Sequence, residues 1–148
     1  MGGMDFGRGP LLGVLALSAV LRILILSFDG LLWYDNPVNG HAYALVVFTV
    51  VDLVLMGVVV AGRGYRTVFI WAILQTLALA LNPLTAFTLN ITPADFASYL
   101  FGLTPIESTS SFSCPFLCPP FRYSYTALLI IQIAMAATAI AAARTSRK

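Results

Sequence analysis

Four apolar runs alternate with polar stretches along the chain, at about residues 10–28, 42–61, 66–82 and 125–143. Each is close to the roughly 20 apolar residues that cross about 30 Å of hydrocarbon as a helix. Turn and helix-end signals bound them. Gly9-Pro10 opens the first run, where proline in the opening turn costs no hydrogen bond. Asp29-Gly30 closes it, and Trp33 and Tyr34 follow where an interfacial aromatic belt is expected. The second run follows the turn-forming Asn36-Pro37-Val38-Asn39-Gly40 and closes at Gly62-Arg63-Gly64. The third starts only a few residues later, so the second and third runs predict a tight antiparallel hairpin. At Asn82-Pro83 the third run ends or kinks, because proline disfavours helical geometry just before it.

A shorter element lies between the third and fourth runs. Thr92-Pro93-Ala94-Asp95 reads as an N-cap, a first-turn proline and an acidic residue near a helix start. Phe96, Tyr99, Leu100 and Leu103 then recur on one helical face, ending near Gly102. This predicts a short helix lying flat on the outer membrane surface or capping the bundle. The predicted fold class is therefore all-α: a polytopic, four-transmembrane-helix antiparallel bundle with a short outward-side interfacial helix. Residues 1–148 form a single membrane domain, with outer loops at 29–41 and 90–123.

Composition agrees with that pattern. Of 148 residues, 59% are hydrophobic and 9% charged, whereas a water-soluble domain carries about a quarter charged residues. Too little charge remains to cover a water-exposed surface, so the bilayer is the first partner. Orientation follows from the basic residues: Arg8, Arg63, Arg66, Arg144, Arg147 and Lys148 fall on one side and Arg122 on the other. The positive-inside rule makes the first side cytoplasmic, with both chain ends there and the protein in the cell membrane. The net charge of +2 is spread along membrane boundaries, which gives no nucleic-acid footprint. The first run imitates a signal peptide around Ala16-Leu17-Ser18, but its apolar stretch continues to Phe28 and is read as a span.

Candidate chemistry begins with polar residues inside the spans. Arg22, Asp52, Gln75 and Gln132 each stand near the middle of one run, and a rise of about 1.5 Å per residue brings all four to similar depth. Arg and Asp are costly in hydrocarbon and should face the bundle interior as an ion pair, with the glutamines adding hydrogen bonds. Asp29, His41, Thr49, Asn82 and Tyr125 stand outward of these four on broadly the same faces. The inner halves hold little that is polar beyond Ser18, Thr67 and Thr138. A pocket open outward and sealed inward fits this asymmetry, and a continuous channel does not. Two readings stay open: polar groups that fix helix register, and a ligand, ion or proton site. In the second, Asp52 titrates and Arg22 modulates it or anchors an anion.

The second constellation is Cys114-Pro115-Phe116-Leu117-Cys118 in the longer outer loop. Outside the cytoplasm such a pair tends to oxidise, which makes a structural disulfide the first expectation and a redox pair the second. The four-helix plan with outward cysteines loosely resembles the quinone-linked disulfide-forming enzymes. Those use two cysteine pairs, while this chain has one pair with three intervening residues, so it is not placed among them. No metal-ligand spacing and no cofactor motif is present in the sequence.

Small residues are also placed for close packing. Ala72, Thr76 and Ala80, Gly57 with Ala61, and the alanine-rich stretch 126–143 recur at spacings that permit helix contact. The last predicts association within the bundle, with itself or with another membrane subunit. With no catalytic motif in view, the chain is read first as an accessory or scaffold subunit of a membrane complex rather than as an enzyme. The second reading is a small oligomeric transporter or ion-coupled carrier using the Arg–Asp site. Small four-helix multidrug exporters are the analogy, although they carry an acidic residue in the first helix where this chain has Arg22. The third is an outward-facing membrane thiol oxidoreductase.

Overall fold

The computed structural model describes residues 7–29, 40–89, 92–103 and 123–146, whose regular structure is entirely helical. In order they form α1 (Arg8–Phe28), α2 (Gly40–Val60), α3 (Tyr65–Leu81), a 3-10 segment (Asn82–Leu89), α4 (Pro93–Leu100) and α5 (Ser124–Thr145). Four helices are long and apolar enough to cross a membrane: α1, α2, α5, and α3 with its continuation to Phe87. Cys114 and Cys118 lie outside the described residues.

Each long helix turns one seam inward. The buried positions are Leu11, Leu15, Ser18, Ala19, Leu21, Arg22 and Ile25 on α1, and Ala42, Leu45, Thr49, Asp52, Leu55 and Val59 on α2. On α3 they are Tyr65, Val68, Ala72, Gln75 and Leu79, and on α5 Ser124, Tyr125, Leu128, Ile131, Gln132, Met135, Ala136, Ala139 and Ala142. Steps of three and four residues return a helix to the same face, so each set is a single stripe, widened by neighbouring positions on α1 and α5. The outward faces are no less apolar, with Val46, Val47, Val50, Leu53 and Val54 on α2 and Ile70, Leu74 and Leu77 on α3 all exposed. Polar inside and apolar outside is the pattern of a membrane protein.

The pairing of helices departs from the expected hairpin. Although only residues 61–64 separate α2 from α3, α2 packs chiefly on α1 and α3 chiefly on α5, and α2 and α3 touch sparsely. The turn between them is a Schellman motif. Arg63 N–H reaches Val58 O at 3.1 Å and Gly62 N–H reaches Val59 O at 2.9 Å, with Gly62 left-handed at φ 75° as the motif requires. It fixes where α2 stops but does not press the two helices together. Gly57 accordingly borders open space, with nothing within 4 Å of where a Cβ would sit. The tight contacts are those of α5: a Cβ on Gly7 would lie 2.7 Å from the Ala142 backbone. The alanines of α5 that are buried, Ala136, Ala139 and Ala142, serve contacts inside the fold.

Pro83 lacks the N–H that would continue α3, and the chain tightens into the 3-10 segment there. Thr85 holds it by donating to Asn82 O at 2.7 Å and Asn82 Oδ1 at 3.0 Å. The N-cap of α4 is Thr92, whose Oγ1 accepts from Asp95 N–H at 3.1 Å, with Pro93 in the first turn. Phe96, Tyr99 and Leu100 are buried, whereas Leu103 is 69% exposed. The expected face stops short because Gly102, at φ 68°, ends the helix and turns Leu103 away.

Two clusters of buried apolar residues result, bridged by the partly buried Val14. One joins Leu21, Ile25, Ala42, Leu45 and Leu79 to Phe96, Tyr99 and Leu100 of α4 and Tyr125, Leu128 and Ile131 of α5. The other joins Leu11, Leu15, Leu55, Val59, Val68 and Ala72 to Met135, Ala139 and Ala142. Between them lies a layer of polar side chains.

Candidate functional site

The layer is built around Asp52, which is fully buried. A carboxylate in that position must be fully hydrogen-bonded to be tolerated, and donors from two helices, α1 and α3, supply the bonds. Oδ2 accepts from Ser18 Oγ at 2.7 Å and from Arg22 Nη1 at 2.6 Å. Oδ1 accepts from Trp71 Nε1 at 2.8 Å and from Gln75 Nε2 at 3.0 Å. Gln132 joins from α5 by donating Nε2 to Ser18 Oγ at 3.1 Å. Arg22 is as deeply buried as its partner, and its guanidinium lies over the Phe48 ring, 5.7 Å from the centroid. Phe48 in turn meets Trp71 edge-to-face at 5.3 Å.

The spacing of α1 and α3 explains how these groups converge. Ser18 stands four residues before Arg22, and Trp71 four before Gln75, so each pair shares a helix face. Ser18 and Trp71 belong to the site although sequence reasoning did not place them there. Serine is unremarkable anywhere in a span, and tryptophan counts as apolar in a hydropathy pattern. Their four-residue offset from a midspan polar residue is the signal that could have found them.

A cavity of about 310 Å³ begins at this layer. Its floor is Arg22, Gln75 and Gln132; its walls are Ala44, Leu45, Phe48, Ala78, Leu79 and Leu128; its far end carries His41, Asn82, Thr85 and Tyr125. The second apolar cluster closes the bundle below the floor. The gap exists because α2 and α3 diverge, and Ala44 and Ala78, one on each of those helices, are exposed at its rim. No family model, curated protein or solved structure matches the chain. The site must therefore speak through its own chemistry.

Three polar atoms at the floor, Arg22 Nε, Gln75 Oε1 and Gln132 Oε1, are buried without a hydrogen-bond partner. Folded proteins rarely leave such groups unpaired, since each costs about 1–3 kcal/mol. Their presence beside a cavity marks a place where a hydrogen-bonding guest gains more than it would elsewhere in the fold.

Of the outer residues singled out from sequence, His41, Asn82 and Tyr125 line the cavity, and Asp29 and Thr49 do not. Thr49 turns its hydroxyl back to Leu45 O at 2.7 Å, which satisfies it within its own helix. Asp29, 1% exposed, faces α4 and α5 instead. Tyr99 and Tyr125 both donate to its Oδ2, each at 2.5 Å. This ties the end of α1 to the start of α5 and to α4. Burial, then the charge of Asp29 and the hydrogen bond to it, push the Tyr99 phenol well above its ordinary range. At the cavity's far end His41 meets Thr85 through Nε2 at 2.7 Å. The His41 ring also meets Phe96 of α4 edge-to-face at 5.4 Å.

Proposed function

We propose that the chain is a multi-pass membrane protein that binds a lipid-soluble small molecule in the cavity between α2 and α3. In this reading its four spans run antiparallel as one membrane domain in the cell membrane. Arg8, Arg63, Arg66 and Arg144 lie on the cytoplasmic side with both chain ends, and the cavity occupies the outer half. The observation that carries the reading is the set of unpartnered atoms on Arg22, Gln75 and Gln132 at the floor of an apolar-walled space. The volume falls at the small end of the range typical of small-molecule sites, roughly 300–1,000 Å³, and such sites combine apolar walls with a few convergent polar groups.

Asp52 is, in this reading, a positioning residue. It does not line the cavity, and both its oxygens are already loaded by four donors. That argues against Asp52 as the proton carrier of an ion-coupled transporter, because a bound proton would displace one of those donors. It supports a role in aiming Arg22 and Gln75.

Gentle extraction into nanodiscs followed by native mass spectrometry tests the proposal. A small-molecule adduct should travel with the wild-type chain and be lost in Ala78→Phe, which fills the rim. Stoichiometric protein partners and no adduct would replace this reading with that of an accessory subunit. A bare chain, insensitive to Ala78→Phe, would leave the cavity without a guest and refute the proposal.

A further inference from the structure

The orientation of the floor residues narrows the class of guest. The Gln75 amide cannot rotate freely, because its nitrogen is held by Asp52 Oδ1. Its oxygen must therefore face away from the carboxylate. Gln132 is fixed less directly. The single hydroxyl hydrogen of Ser18 is given to Asp52, so Ser18 can offer Gln132 only a lone pair. The amide nitrogen of Gln132 must take that lone pair, which again sends the oxygen elsewhere. The two unpartnered oxygens are thus consequences of the Asp52 network and not arbitrary rotamers.

Charge is settled by the same network. The one cation of the floor is paired with the one carboxylate at 2.6 Å, so the layer is neutral as a whole. The hydrogen-bonding capacity left unused in the layer is one N–H, from Arg22 Nε, and two carbonyl oxygens, from Gln75 and Gln132. These are buried atoms of residues that line the cavity, and a small side-chain shift would bring them to a guest. A carboxylate or phosphate would bring a second negative charge beside Asp52 and face two carbonyl dipoles. An ammonium would find acceptors but would sit against the Arg22 guanidinium. An uncharged hydroxyl suits the floor, because it accepts from the Nε–H and donates to a glutamine oxygen without burying an unpaired charge.

We propose that the cavity selects an uncharged amphiphile bearing a hydroxyl head, a long-chain alcohol or phenol, over its anionic and cationic counterparts. Its head lies at Arg22, Gln75 and Gln132 and its tail along Leu45, Phe48 and Leu79. This rests on the reading of the cavity as a binding site.

The test uses the full chain in phosphatidylcholine nanodiscs with three probes of equal tail length: decanol, decanoate and decylammonium at pH 7. Thermal stabilisation is measured against membrane-matched concentration, since a ligand stabilises the state it binds in proportion to its occupancy. Decanol should bind at least about tenfold more tightly than either ion, a lower bound on the cost of burying a poorly compensated charge. Replacing Gln132→Glu should move the preference toward decylammonium, an effect that mere loss of packing would not produce. Equal binding of all three probes overturns the head-group proposal and leaves the cavity a binding site. Preference for decanoate overturns it too, and makes Arg22 an anion anchor. Wild-type preference for decylammonium overturns it in the same way. Binding of none of them, with no adduct in the native spectrum, refutes both proposals together.

Discussion

Replacing Asp52→Asn keeps the shape of the side chain and removes its charge, so it isolates the electrostatic part of the polar layer. Arg22 is 1% exposed and its carboxylate partner fully buried. Deleting one partner of such a pair costs about 3–5 kcal/mol, because the other charge is left uncompensated. The asparagine carbonyl can still accept from Arg22 and Ser18, but its NH2 then faces the Trp71 and Gln75 donors. Gln75 can turn its amide and accept; the Trp71 indole N–H cannot, and an orphaned donor adds about 1–3 kcal/mol. Interhelical hydrogen bonds in membranes average only about 0.6 kcal/mol, because unfolded chains also find partners there. The charge term therefore decides the outcome. Equilibrium unfolding in mixed micelles with SDS should show Asp52→Asn destabilised by at least about 3 kcal/mol. Adding Arg22→Met to that variant should restore stability, since the double variant buries no charge. A loss below about 1 kcal/mol, or a double variant weaker than the single, would show that Arg22 is solvated and refute the dry ion pair.

Three further outcomes follow from the geometry. Gly62→Ala forces a side chain into the left-handed conformation at φ 75° and should cost about 1 kcal/mol in the same unfolding assay. Tyr99 has a phenol pKa raised by burial and by Asp29. Its contribution is complete below the free tyrosine value near 10 and is lost as pH climbs toward the shifted one. The Tyr99 contribution should accordingly be constant up to about pH 10 and fall above it, and Tyr99→Phe should make the alkaline fall in wild-type stability shallower; an equally steep fall would remove Tyr99 from the account. Single cysteines placed at Arg8 and at Arg144 in a background with Cys114→Ser and Cys118→Ser should both resist impermeant thiol reagents added outside intact cells. Labelling of either one would overturn the proposed orientation.

Much of the polar layer was legible because its residues are conspicuous where they stand. Arg22, Asp52, Gln75 and Gln132 interrupt apolar runs at matched depth, and hydrocarbon gives such groups few places to go except toward each other. Ser18 and Trp71 were not legible as members, one being too ordinary and the other counted among the apolar residues. Thr49 erred the other way: its polarity was visible, but a hydroxyl bonded to Leu45 O within its helix contributes nothing to a shared site. The inward seams were also hidden, since Val46 and Val50 on the outside of α2 are as apolar as Leu45 and Leu55 within. Helix ends were clearer, because Gly62, Pro83 and Thr92 act through local backbone chemistry. The outward polar asymmetry suggested a pocket, but not its place between α2 and α3. That place depends on α2 and α3 leaning toward different partners after a short turn, and that choice is made by α1 and α5.

The burial of Arg22 beneath a partner 30 residues further along the chain has a bearing on how the protein is made. A helix with arginine at its centre carries an insertion cost of about 2.5–3.5 kcal/mol while it is alone. Synthesis proceeds at about 5–20 residues per second, so Asp52 follows Arg22 out of the ribosome by a few seconds. In the proposed membrane orientation the first helix carries an unpaired arginine during that interval, and its partner comes with the second. In that reading the two helices are suited to leave the insertion machinery as a pair, with the later helices arriving at a dyad already neutralised.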